Sequence, residues 1–98
     1  MAEELKRIAD TIARLKDLVS QQYRADVVGV FGSYARGEQT AGSDVDVLVN
    51  FRPGATLFDL VGLADFLEER LNLRVDVVPM DALREEIREQ VLKEALPL

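Results

Sequence analysis

Cysteine and histidine are both absent from this 98-residue chain. Without cysteine there are no disulfides and no thiolate metal ligands. Without histidine, the usual zinc sites, Ser-His-Asp catalysis and imidazole acid–base chemistry are excluded as well. No apolar run approaches the roughly 18 residues that a bilayer-spanning helix needs. The start, Met1-Ala2-Glu3-Glu4, is acidic at once, unlike the basic and apolar regions of a secretory signal, so a cytoplasmic protein is the expectation. Dense basic clusters are missing too. The formal net charge is −6 with only twelve basic residues, whereas gripping nucleic acid rests on several Lys or Arg contacts to phosphate. Neither direct nucleic-acid binding nor membrane association is expected. A basic protein partner, or a small nucleotide neutralised by metal ions, suits this chain better.

What is present is ordinary globular composition: 48% hydrophobic and 31% charged residues. A chain of this size supports one small core, so a single domain over residues 1–98 is expected. If it does chemistry, carboxylates, hydroxyls, backbone amides and arginines must do it.

Helix and strand patterns alternate without linker or repeat. From Glu3 to about Tyr23, Leu5, Ile8, Ala9, Ile12, Leu15 and Val19 recur at helical spacing. Asp26 to Phe31 reads as a buried strand ending at Gly32, and Gly32 to Gly37 as a turn opening a short helix. A second strand spans Asp44 to Phe51, with Val45, Val47 and Val49 on one side and Asp44, Asp46 and Leu48 on the other. Leu57 to Leu71 forms a second long helix, its inner stripe read as Leu57, Leu60, Val61, Ala64, Leu67 and Leu71. Phe58 and Phe66 fall off that stripe; they either pack at its edge or present a partner surface. Arg74 to Val78 is a third strand, and Asp81 is read as the cap of a last helix that turns Leu83, Ile87 and Val91 inward. The last residues, through Leu96-Pro97-Leu98, read as a frayed end or, less plainly, a second docking segment. The expected fold class is α/β: αβαβαβα, a small three-stranded mixed sheet packed against helices.

The informative segment is Gly32-Ser33-Tyr34-Ala35-Arg36-Gly37 followed by Ser43-Asp44-Val45-Asp46. Alternate residues of a strand share a face, so Asp44 and Asp46 place two carboxylates side by side. Such a pair repels itself unless a cation intervenes, and oxygen ligands favour Mg²⁺ or Mn²⁺. Glycine at 32 lets a phosphate approach the backbone, amides of the following helix can receive an anion, and Ser33 adds a hydroxyl donor. Together these describe a nucleoside-triphosphate site. Asp76, between Val75 and Val77 in the third strand, is the candidate third carboxylate, since an aspartate there is unfavourable unless paired or functional. Arg36 either contacts a phosphate or ties the short helix to a carboxylate such as Asp44. Ser43 either contacts the nucleotide or caps its turn. Tyr34 reads as an exposed helix residue.

This motif resembles the signature of the DNA polymerase beta-like nucleotidyltransferase superfamily. The short chain, with Asp76 about thirty residues downstream of Asp46, resembles its minimal nucleotidyltransferase (MNT) branch, the antitoxins of HEPN/MNT toxin–antitoxin pairs. The resemblance implies that Asp44 and Asp46 bind two Mg²⁺ ions and that Asp76 completes the metal site and helps to activate an acceptor hydroxyl. It also implies that Gly32 and Ser33 hold the triphosphate of ATP. Larger members add a helical domain that holds the base and the acceptor, and this chain carries nothing of that kind. The implied partner is a neighbour-encoded HEPN-domain RNase toxin, and the implied reaction moves AMP from ATP to a tyrosine of that toxin. A purely steric antitoxin and the catalytic subunit of an aminoglycoside-like nucleotidyltransferase are the competing readings, and self-association stays open. A template-directed polymerase needs more length and a basic groove.

Overall fold

The computed structural model describes residues 3–98. Its elements are α1 (Glu3–Tyr23), β1 (Ala25–Phe31), α2 (Ser33–Arg36), β2 (Val45–Phe51), α3 (Leu57–Leu71), β3 (Val75–Pro79), a 3₁₀ turn (Met80–Ala82), α4 (Glu85–Glu94) and β4 (Leu96–Pro97). The sheet has four strands in the order β3-β2-β1-β4. Strands β1 and β2 are antiparallel, β2 and β3 parallel, and β4 runs antiparallel to β1. The expected mixed α/β architecture is present, but the sheet has one strand more than expected. The added strand comes from the residues expected to fray: Leu96 pairs with Val30 and Pro97 with Gly29. Proline is tolerated there because β4 is an edge strand.

One face of the sheet carries the core. Leu5, Ile8, Ile12 and Val19 of α1 and Leu63, Leu67 and Leu71 of α3 close over Val27, Val30, Val45, Val47, Val49, Val75 and Val77. Helix α1 starts with Glu3 and Glu4 in its first turn, where acidic groups favour the helix dipole. The α3 start is fixed by Asp59, whose Oδ2 accepts the backbone N–H of Thr56 at 2.8 Å. Asn72 closes α3 in the left-handed conformation, φ 56°, donating its N–H to the Glu68 carbonyl.

The inner stripe of α3 differs from the expected one. Leu63 is fully buried, while Leu57 and Val61 are exposed. The helix carries apolar residues on nearly every side, so hydrophobicity alone could not orient it; packing against α1 and β3 did. Phe66 lies half-buried against Tyr23, with ring centroids 5.7 Å apart, and under the Arg70 guanidinium at 4.8 Å. Phe58, by contrast, is 89% exposed.

The other face is covered sparsely. Leu48 points opposite to Val47 and Val49; it is fully buried yet does not join the α1/α3 cluster. Strand β3 ends at one edge of the sheet and β4 starts at the opposite edge, beside the end of β1. The connection must therefore cross a face, and α1 and α3 already fill the first one. The 3₁₀ turn and α4 thus pass over the face of Asp46 and Leu48. Asp81 lies in the 3₁₀ turn and caps nothing; Arg84 stands at the N-cap of α4. No residue of α4 is fully buried, and Ile87 is 46% exposed, so the expected inward row Leu83, Ile87 and Val91 gives partial cover only.

Candidate active site

The two halves of the motif meet where β1 ends and β2 and β3 begin. Gly32 leaves β1 with φ 76°, a left-handed value that glycine adopts without strain. Space adds to that preference, because any side chain here would have to push the Asp46 carboxylate aside. A Cβ on Gly32 would lie 2.1 Å from Asp46 Oδ2, so the missing side chain is the room the carboxylate occupies. Helix α2 follows at once, and its first turn leaves backbone N–H groups without intrahelical partners. Arg36 N–H is bonded back to the Gly32 carbonyl at 3.1 Å. Gly37, φ 72°, ends α2.

Parallel pairing sets Asp46 opposite Asp76, so both carboxylates project from one face of adjacent strands. Asp46 is half-buried and Asp76 exposed. Burial pushes the Asp46 carboxyl above the ordinary aspartate range, and the charges of Asp76 and Asp44 push it the same way; Arg36 opposes them and Glu94 adds to them. Asp44 lies just before β2, and its Oδ1 is 3.2 Å from Arg74 Nε. Arg74 also donates to the Gly42 carbonyl at 2.6 Å, which ties the loop before β2 to the start of β3.

The sequence-predicted residues thus converge to different degrees. Gly32 and Asp46 are in contact, Asp76 is in register beside them, and Asp44 is held by Arg74. Among the described residues, no three carboxylates already stand at metal-ligand spacing. The donor chemistry nonetheless fits a hard divalent cation: carboxylates in register on adjacent strands, one of them disfavoured as an anion by burial and by its neighbours. Asp44, Asp46 and Asp76 would hold such an ion, with Asp44 exchanging Arg74 for it. Ser33 is half-buried beside the turn. Ser43 accepts the Thr40 backbone N–H through Oγ at 2.9 Å, and its own N–H reaches the Thr40 carbonyl at 3.0 Å, so its hydroxyl caps the loop.

Two expectations change. Tyr34 is buried, at 4% exposure, rather than on the surface. Its ring joins the buried core, which anchors a helix of only four residues. Burial raises its phenol pKa, with Glu4 adding to the shift and Arg7 opposing it. Arg36 does form a structural pair, but with Glu38 at 2.7 Å and Glu94 at 2.5 Å, not with Asp44. Arg74 and Glu94 were not singled out by the motif. The first lies 30 and the second 58 residues from its partner, and no local pattern marks pairs so far apart.

Known proteins are similar to this chain over nearly its whole length. A family model described as a nucleotidyltransferase domain matches residues 12–98. Protein adenylyltransferase MntA of Thermococcus cleftensis is 37% identical over 92 residues, spanning 94% of this chain and 93% of that protein. A Methanocaldococcus jannaschii chain assigned as a protein adenylyltransferase is 32% identical over 92 residues, 94% of each chain. Among solved structures, one assigned as a minimal nucleotidyltransferase superposes with TM-score 0.75 and 43% identity, covering 91% of this chain and 94% of that one. A structure described as a toxin–antitoxin with AMP-PNP shares the fold, with TM-score 0.60 and 18% identity over 95% of this chain and 83% of that one.

Proposed function

Because this chain belongs to the nucleotidyltransferase domain family, we propose that it is an antitoxin that transfers AMP from ATP to a tyrosine hydroxyl of a HEPN-type RNase toxin. The tyrosine oxygen forms a bond to the α-phosphorus, the bridging bond to the β-phosphate breaks, and pyrophosphate leaves. Asp76 takes the hydroxyl proton. The amides of the Gly32–Ser33 turn and the Ser33 hydroxyl hold the triphosphate, with Arg36 and Ser43 at its margin. Asp44, Asp46 and Asp76 would hold two Mg²⁺ ions, which when bound would supply charge neutralisation at the reacting phosphate.

The observation that carries this reading is the fit of the Asp46 carboxylate into the space of the absent Gly32 side chain. It brings a phosphate-receiving turn and a metal-binding carboxylate into one site, where transfer of a nucleotidyl group needs both. The relative named protein adenylyltransferase supports a protein as the acceptor. The chain also presents an apolar patch for that protein: Leu57 is 72%, Phe58 89% and Val61 50% exposed on one side of α3. Phe66 faces Tyr23 instead and contributes at the margin.

The test is to incubate the chain with its neighbour-encoded protein, Mg²⁺ and ATP, and to weigh the partner. An AMP-sized gain, mapped to a tyrosine, is expected. Neutralisation of the toxin with no mass gain would overturn the catalytic reading in favour of steric blocking.

A further inference from the structure

Helix α2 has four residues and follows a glycine, so it cannot hold its own position. Tyr34 anchors its inner side. Its outer side is held by Arg36, whose guanidinium is gripped from two directions. Glu38, two residues on, is a local partner with a 65% exposed side chain, whereas the Glu94 side chain is 23% exposed. Glu94 is the last residue of α4, and the segment after it is fixed to the body. The Leu96 carbonyl sits 2.5 Å from where a Cβ of Gly29 would be, so only glycine at 29 lets β4 approach. Lys16 Nζ donates to the Leu98 carbonyl at 2.6 Å. Glu94 is therefore a carboxylate mounted on an anchored segment, at the end of a helix that has no buried residue of its own.

We propose that Glu94 is a positioning residue for the nucleotide turn, acting through Arg36. A guanidinium bonded by one flexible neighbour can swing; bonded also to a fixed carboxylate, it is held in one plane. The pair thus keeps the Arg36 cation beside the Gly32–Ser33 turn, where a triphosphate would meet it, and keeps α2 from tilting off the end of β1. This rests on the nucleotide reading of that turn.

The experiment is titration calorimetry of the full chain with a non-hydrolysable ATP analogue and Mg²⁺, on the wild type, Glu94→Gln, Arg36→Ala and the double variant. Thermal unfolding of each confirms that it is folded at the titration temperature. Glu94→Gln is expected to weaken binding about fivefold or more, the scale of one hydrogen bond's net contribution. In the Arg36→Ala background the same change should have almost no further effect on analogue affinity, measured where every variant is folded, which a loss of fold stability alone does not produce. Unaltered binding by Glu94→Gln, or an equal loss in both backgrounds, overturns the proposal. No binding by the wild type overturns the nucleotide reading and this inference with it, so the two failures are distinct.

Discussion

The two faces of the sheet are built to different standards. On one, α1 and α3 bury Ile8, Ile12, Leu63 and Leu67 completely against valines of three strands. On the other, Leu48 is buried but no residue of the covering helix α4 is, and the end of the sheet carries Asp44, Asp46 and Asp76. The first face supplies the stability that lets the second hold mutually repelling carboxylates. A chain this small has no second core to spare, so one face is packed and the other is left for chemistry.

The sharpest break in that division is Asp44→Asn with Asp46→Asn. AMP transfer should fall more than about hundredfold, since charge stabilisation at the reacting phosphate is lost, while the circular dichroism spectrum and melting stay native. Survival of toxin neutralisation in this variant would transfer the function to steric blocking. Truncating the packed face should show the opposite pattern. Leu63→Ala is expected to cost about 2–5 kcal/mol in denaturant unfolding, and Ile87→Ala on α4 under about 1 kcal/mol, because a side chain 46% exposed leaves little cavity. Equal costs would show that α4 belongs to the core.

Gly32→Ala tests the seam between the faces. The added methyl must displace the Asp46 carboxylate and accept φ 76°, so about 1–2 kcal/mol of stability and most nucleotide binding should be lost together. Retained analogue affinity would separate the turn from the carboxylate. Phe58→Asp should have the smallest effect. The side chain is almost free of contacts at 89% exposure, so the melting temperature should hold while partner affinity drops about fivefold. Unchanged affinity in a binding assay removes α3 from the docking surface.

Much of this was legible along the chain. The α1 spacing and the valine alternation of β2 appear where expected, and the Gly32 and Asp46 segments singled out by the motif come together. Asp76 was legible because a lone aspartate between valines in a strand is costly without a role. Elsewhere local pattern was silent. Leu96-Pro97 has too few residues to show an alternation, Tyr34 is a polar-tipped ring that suits surface or core, and α3 is apolar on too many sides to declare its inner face.

The order of residues alone dictated the long helices, the first three strands and which chemical groups the protein owns, because periodicity and residue type act over a few neighbours. Tertiary structure alone decided the rotation of α3, the fourth strand, and the ion pairs of Arg36 with Glu94 and Arg74 with Asp44. Each of these depends on which distant segment lies alongside, and that is settled by how the core face packs and by where α4 must cross to reach the far edge of the sheet.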